Sequence, residues 1–140
     1  MTIRIRFSEI ERSVPVRPGI YEIHTDNGLP LKVGVGGDIR KRLLQHRESR
    51  QDRLKLREGG DRSNPNDVSS KQSILAKHLY YDRSVTTEYD LTSEFGRRAF
   101  LLEKCYITFD VTATRADALK LEKERERLGC FRYVGRVVIR

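Results

Sequence analysis

Residues 19–46, GIYEIHTDNGLPLKVGVGGDIRKRLLQH, leave the chain little freedom in how to fold. They read as a short strand, an Asn-Gly turn, a second strand, a glycine corner and a basic helix. Gly19-Ile20-Tyr21-Glu22-Ile23 and Leu31-Lys32-Val33-Gly34-Val35 alternate as half-exposed strands do. Asn27-Gly28 is the strongest short hairpin signal, because a type I′ turn needs positive φ at both central residues. With that pair at the tip, Asp26 faces Leu29, His24 faces Leu31 and Tyr21 faces Gly34. Opposed side chains share a face. Tyr21 therefore looks across at a residue without a side chain, into open space, with Lys32 diagonal to it. His24 falls on the opposite face, as a surface residue.

The helix sharpens this pattern. Asp38 after Gly36-Gly37 suits an N-cap. At about 100° per residue, Ile39 and Leu43 define an inward stripe that also holds His46, with Arg42 on its margin. Arg40, Lys41 and Leu44 point elsewhere. An arginine and a histidine turned toward the sheet are unusual company for two aliphatic residues. Taken alone, a snorkelling arginine and a satisfied core histidine explain the pattern equally well.

Gly19-Ile20-Tyr21, ten residues, Lys32-Val33-Gly34, then a helix with Arg42 and His46: this order resembles the GIY-YIG nuclease superfamily. That family includes homing endonucleases, some restriction enzymes and the first incision module of bacterial nucleotide-excision repair. Lysine stands here where the second triplet usually has tyrosine. The resemblance implies an α+β fold with a small, mainly antiparallel three-stranded sheet flanked by helices, to which this chain adds an N-terminal strand and an inserted basic loop. It also implies one metal-binding glutamate in a late helix, and Ala118-Leu119-Lys120-Leu121-Glu122 matches that stretch. The family's frequent Pro-x-Tyr-Asn ending is replaced by Phe131-Arg132-Tyr133-Val134-Gly135.

The residues of that last helix support the choice independently. Thr114 suits its cap, and Ala118, Leu119, Leu121 and Leu128 form one apolar sector with Glu122 inside it. A carboxylate aimed into a core must be paired, hydrogen-bonded or metal-bound. Arg125, three residues on, is the alternative partner. By the resemblance, Glu122 would hold Mg²⁺ or Mn²⁺ and Arg42 would grip phosphate oxygens. Tyr21 would orient or deprotonate the attacking water. A phenol titrates near pH 10, so deprotonation needs nearby positive charge. Lys32 would supply it, or bind phosphate in the missing tyrosine's place. His46 would relay a proton or hold the scissile phosphate.

Elsewhere the chain is plainer. Ile3-Arg4-Ile5-Arg6-Phe7 alternates as an edge strand. Residues 48–66 read as a charged loop in which Leu54 and Leu56 form a short strand; either it reads the substrate or a partner protein supplies specificity. Ser69 and Gln72 resemble a capping box opening a helix over 70–81, with Ile74, His78 and Tyr81 on one face. The last two are best explained by packing. A helix over 93–102 would carry Phe95, Ala99 and Leu102 at helical spacing, and Cys105 begins the third strand of the sheet.

Net charge completes the argument. The chain of 140 residues carries +8, which attracts polyanions, nucleic acid first. Arg40, Lys41, Arg47, Lys71 and Lys77 are the nominated nucleic-acid contacts. One domain over 1–140 fits this length. No apolar run approaches a membrane span and no signal peptide opens the chain, so a cytoplasmic protein with reduced Cys105 and Cys130 is expected. Gly34-Val35-Gly36-Gly37 is no dinucleotide loop, since Ile39 occupies the third glycine position. The expectation is a metal-dependent endonuclease, of DNA ahead of RNA. Its alternative is a binding module on the same fold without catalysis.

Overall fold

The computed structural model describes residues 2–140 and is α+β, with a mainly antiparallel sheet flanked by helices. The sheet has four strands in the order β1-β6-β2-β3: β1 (Ile3–Arg6), β2 (Gly19–Thr25), β3 (Pro30–Gly36) and β6 (Cys105–Val111). β1 is the added edge strand, and β3 forms the other edge. Residues 48–73 contain a separate two-stranded ribbon, β4 (Leu54–Leu56) with β5 (Val68–Ser70). The helices are α1 (Ile10–Ser13), α2 (Ile39–Arg47), α3 (Ile74–Tyr80), α4 (Glu94–Lys104) and α5 (Arg115–Arg127). No helix among the described residues is long and apolar enough to cross a membrane.

The hairpin keeps its central register by a different turn. Gly28 has φ +89, but among the described residues no type other than glycine has positive φ, so Asn27 does not form a type I′ turn. Instead the Gly28 amide donates to the Thr25 carbonyl (2.9 Å) and Thr25 N donates to Leu29 (3.0 Å). This is a type I turn closed by a glycine bulge, which places three residues in the loop. The extra residue shifts His24 opposite Pro30, and a second irregularity at Ile23/His24 restores Ile23↔Lys32 and Tyr21↔Gly34. The two offsets cancel before the tyrosine.

The sheet separates two apolar layers. Tyr21, Ile23, Ile107 and Phe109 pack with Ile39 and Leu43 of α2 and Phe100 and Leu101 of α4. On the other face, Ile20 and Val33 meet Ala118 of α5 and Phe131. His24 is half-buried there, stacked on Tyr106 at 5.1 Å, rather than a free surface residue.

Several local expectations give way to tertiary packing. Ser69 and Ser70 belong to β5, and α3 begins only after Ser73, whose hydroxyl accepts from the Ala76 amide (3.1 Å). The Ser69–Gln72 capping box does not form; Gln72 instead accepts from Arg50 N (3.0 Å) and donates to the Glu48 carbonyl (3.3 Å). In α4 the buried face is Gly96, Arg97, Phe100 and Leu101, while Phe95 is 84% exposed. Leu128 likewise caps α5 in solvent and leaves the apolar sector.

The C-terminal segment decides where the sheet edge is open. Arg132 N and Tyr133 N donate to the carbonyls of Pro30 (3.0 Å) and Leu31 (2.8 Å), covering the start of β3. Buried Asp82 anchors this cover by accepting from Tyr133 (2.7 Å) and Arg132 Nε (2.6 Å). Beyond Leu31 the edge lies open, and the candidate site forms there.

Candidate active site

A cleft of about 340 Å³ runs along the open part of β3, between α2, α3 and α5. Its chemistry comes from Tyr21 of β2, Lys32 of β3, Arg42 of α2 and Glu122 of α5, joined by Arg115. Four of the five sequence-nominated catalytic residues therefore share one wall-to-wall space. The fifth, His46, lies behind Tyr21.

Gly34 makes this arrangement possible. A Cβ there would overlap Tyr21 Cζ and Oη and lie 2.9 Å from Cε1. The expected open space opposite Tyr21 is thus filled by its own ring, which lies flat across the glycine. Only an edge of the phenol reaches the cleft, since Tyr21 is 1% exposed. Its hydroxyl is 2.6 Å from His46 Nε2, and His46 Nδ1 is 2.6 Å from Ser73 Oγ. Two proton arrangements satisfy this chain. In one, the phenol donates to Nε2 and Nδ1–H donates to Ser73; in the other, Ser73 donates to Nδ1 and Nε2–H donates to the phenol oxygen.

Electrostatics alter the role foreseen for the phenol. Burial pushes Tyr21 up to about 12, outweighing the nearby Arg42 guanidinium that favours the phenolate. Arg42, rather than Lys32, is the cation that acts on Tyr21, and it does not win. A standing phenolate at neutral pH is therefore disfavoured. Burial also holds His46 well below its usual value, with Arg42 and Lys32 adding to the effect, so the imidazole is neutral. Lys32 is lowered too, by burial first, with Glu122 and Glu126 opposing.

Glu122 is half-buried and makes no ion pair or hydrogen bond among the described residues. Arg125, its alternative partner, is engaged on the sheet instead, reaching Glu22 (2.7 Å) and Asp110 (3.5 Å). Burial raises the Glu122 carboxyl, as does Glu126 one turn on; Lys32 and Arg115 pull the other way. Arg42 is held by donating from Nη1 to Gln45 Oε1 (3.2 Å) and the Gln72 carbonyl (3.1 Å). The cleft thus presents three cations and one unpaired carboxylate.

Two contributors, Arg115 and Ser73, escaped the sequence reading. Arg115 and Leu119 lie seven and three residues before Glu122, a spacing that puts all three on one side of a helix. Ser73 had no local signal, because its link to His46 spans 27 residues. The nominated surface cations also divide. Lys41 and Lys71 are exposed and Lys77 half-buried. Arg40 donates to the Val14 carbonyl (2.6 Å), and Arg47 is bound to Glu11 (2.5 Å), Glu48 (2.8 Å) and the Phe7 carbonyl (2.9 Å). Arg47 thus ties α2 to α1, with its guanidinium already engaged by two carboxylates.

Two measurements bear on this core. Ser73→Ala removes both the α3 cap and the partner of a buried imidazole. Loss of a cap costs about 1 kcal/mol and an unpaired buried donor about 1–3 kcal/mol. Urea unfolding is expected to show a loss of about 2–4 kcal/mol from these two causes, and Ser73→Thr should recover most of it. The second concerns pH. His46 is neutral in the fold, and His78, buried and close to Lys32, Arg140 and Lys77, is pushed down to about 4. The unfolded chain binds protons at both from about pH 6.5. Their contribution is therefore complete above about pH 7 and is lost as pH falls from 6.5 through the depressed folded values. Urea midpoints should decline already between about pH 6.5 and 5, before carboxylates titrate; a flat midpoint there would contradict the assignment.

Compared with protein families, curated proteins and solved structures, the chain matches none.

Proposed function

We propose that the protein is a metal-dependent endonuclease of the GIY-YIG type that hydrolyses phosphodiester bonds in nucleic acid, DNA ahead of RNA. The observation that carries this reading is the cleft itself. A phenol edge, a guanidinium, an ammonium and an unpaired carboxylate converge from four separate elements on one open sheet edge. The basic surplus of the chain supports the same substrate class.

Among the described residues no group of three His, Cys, Asp or Glu side chains stands ready to hold a metal. The donor set nevertheless fits a hard divalent ion that keeps most of its waters, for which one carboxylate oxygen suffices. Lys32, Arg42 and Arg115 oppose a bare cation, so occupancy would depend on substrate phosphate. When bound through Glu122, Mg²⁺ or Mn²⁺ would stabilise charge on the phosphate and the leaving oxygen. Arg42, pre-set by Gln45 and the Gln72 carbonyl, donates to the non-bridging oxygens. Lys32 lies where the ammonium also meets phosphate. Tyr21 acts as a neutral phenol that accepts a hydrogen bond from the attacking water. As that water loses its proton, the phenol passes its own to His46 Nε2, so no phenolate has to persist.

The test is incubation with supercoiled plasmid and with single-stranded and branched substrates, in Mg²⁺, Mn²⁺ or EDTA. Cleavage with either ion and none in EDTA supports the reading. Binding without cleavage under every condition would replace it with a non-catalytic module, a reading favoured by the lysine at position 32 and the sealed phenol.

A further inference from the structure

A second groove of about 270 Å³ adjoins the cleft, lined by Gln45, Arg50, Arg53, Lys71 and Gln72. No carboxylate lines it. Arg53 and Lys71 are exposed and make no ion pair among the described residues, whereas Arg50 meets Asp52 at 2.6 Å. The two spaces share a wall. Arg42, a cleft residue, donates to Gln45 Oε1 and to the Gln72 carbonyl, and both of these residues face the groove. Backbone ties hold the groove in shape: Lys71 N donates to the Arg53 carbonyl (2.8 Å), and Arg50 N donates to Gln72 Oε1 (3.0 Å). Other arginines of the chain, Arg47, Arg57, Arg125 and Arg132, are neutralised by carboxylates. Unneutralised cations on a fixed backbone, next to the residues that hold Arg42, are suited to a continuous polyanion.

We propose that this groove carries the phosphodiester backbone of the nucleic-acid strand on one side of the scissile bond, with Arg53 and Lys71 on flanking phosphates. The proposal rests on the nuclease reading of the cleft and gives a role to the base of the β4–β5 ribbon, where Arg53 directly precedes β4 and Lys71 directly follows β5. The contacts are to phosphate, so they set position and affinity without reading bases. An acidic peptide is less suited, because the lining offers cations and amides but no apolar seats for side chains.

The experiment compares Arg53→Ala/Lys71→Ala with Arg4→Ala/Lys104→Ala, which removes the same formal charge from edge strand β1 and from the end of α4, outside the linings of the cleft and the groove. Anisotropy of a labelled DNA oligonucleotide in EDTA, over about 50–200 mM salt, gives affinity and salt slope. Losing two phosphate contacts should lower the log–log slope by about 1.4–1.8, whereas the control changes by under about 0.5. Neutral methylphosphonate linkages on one side of the cut should weaken wild-type binding but leave the Arg53/Lys71 variant unaffected. Equal losses in both double variants, or none in either, would overturn the groove. So would equal binding of polyglutamate. A wild type that binds no oligonucleotide sinks the functional reading itself. A wild type that cleaves, with Arg53 and Lys71 irrelevant, sinks only the groove.

Discussion

If the proposed nuclease reading holds, Glu122→Gln is expected to reduce metal-dependent cleavage by about 10³-fold or more while leaving the protein folded and able to bind nucleic acid. Stability should barely change, because among the described residues Glu122 makes no ion pair and it stands half-buried in an open cleft. Its carboxylate is already raised by burial and by Glu126, so the neutral amide relieves a cost rather than breaking a partnership. Binding carries the sign that separates this from damage. The amide removes the cleft's one lining carboxylate from beside Lys32, Arg42 and Arg115. Oligonucleotide affinity measured in EDTA should therefore stay level or rise a few-fold. Glu124→Gln, on the exposed side of the same helix, is the matched control. Retention of more than a tenth of the activity in Glu122→Gln would remove the carboxylate from the mechanism.

Gly34→Ala should be the most damaging small substitution in the hairpin. The added methyl would coincide with the Tyr21 ring, and that ring is walled in by the rest of the core, including Ile39 and Leu43. Overpacking of this kind costs about 1–3 kcal/mol, which for a domain of this size lowers Tm by roughly 3–15 °C. The ring cannot swing away without breaking its bond to His46. Cleavage should fall together with stability, since the phenol edge would leave the cleft. The decisive measurement is a double-mutant cycle. In a Tyr21→Ala background the methyl has room, and Gly34→Ala should cost far less than in the wild type. Additive effects would show that glycine is needed for some reason other than the ring.

These two positions also show what local sequence carries. The pairing of Tyr21 with Gly34 follows from strand alternation and a turn between them, and it survives an incorrect turn type because two bulges cancel. The Asp38 and Thr114 caps and the Ile39–Leu43–His46 stripe are equally local, resting on helix periodicity. The direction of Glu122 belongs with them. Errors arose where the deciding partner is remote. A helix over 70–81 loses its start because Val68, Ser69 and Ser70 pair with β4. The spacing of Phe95, Ala99 and Leu102 did not mark the buried face of α4, where Phe95 lies in solvent and Arg97 is held inside by Leu91 and Gln51.

Sequence alone thus determined the hairpin, the caps and the faces of the two helices that carry Arg42, His46 and Glu122, because those depend on repeats of two and 3.6 residues within a short window. Only the tertiary structure decided that Arg125 serves Glu22 and Asp110, that Arg47 is consumed by Glu11 and Glu48, and that Ser73 stands behind His46. It also decided how deeply Tyr21 is sealed, and hence that its hydroxyl keeps its proton. Pairing and desolvation are set by which remote groups arrive within a few ångströms, and no periodicity along the chain encodes that.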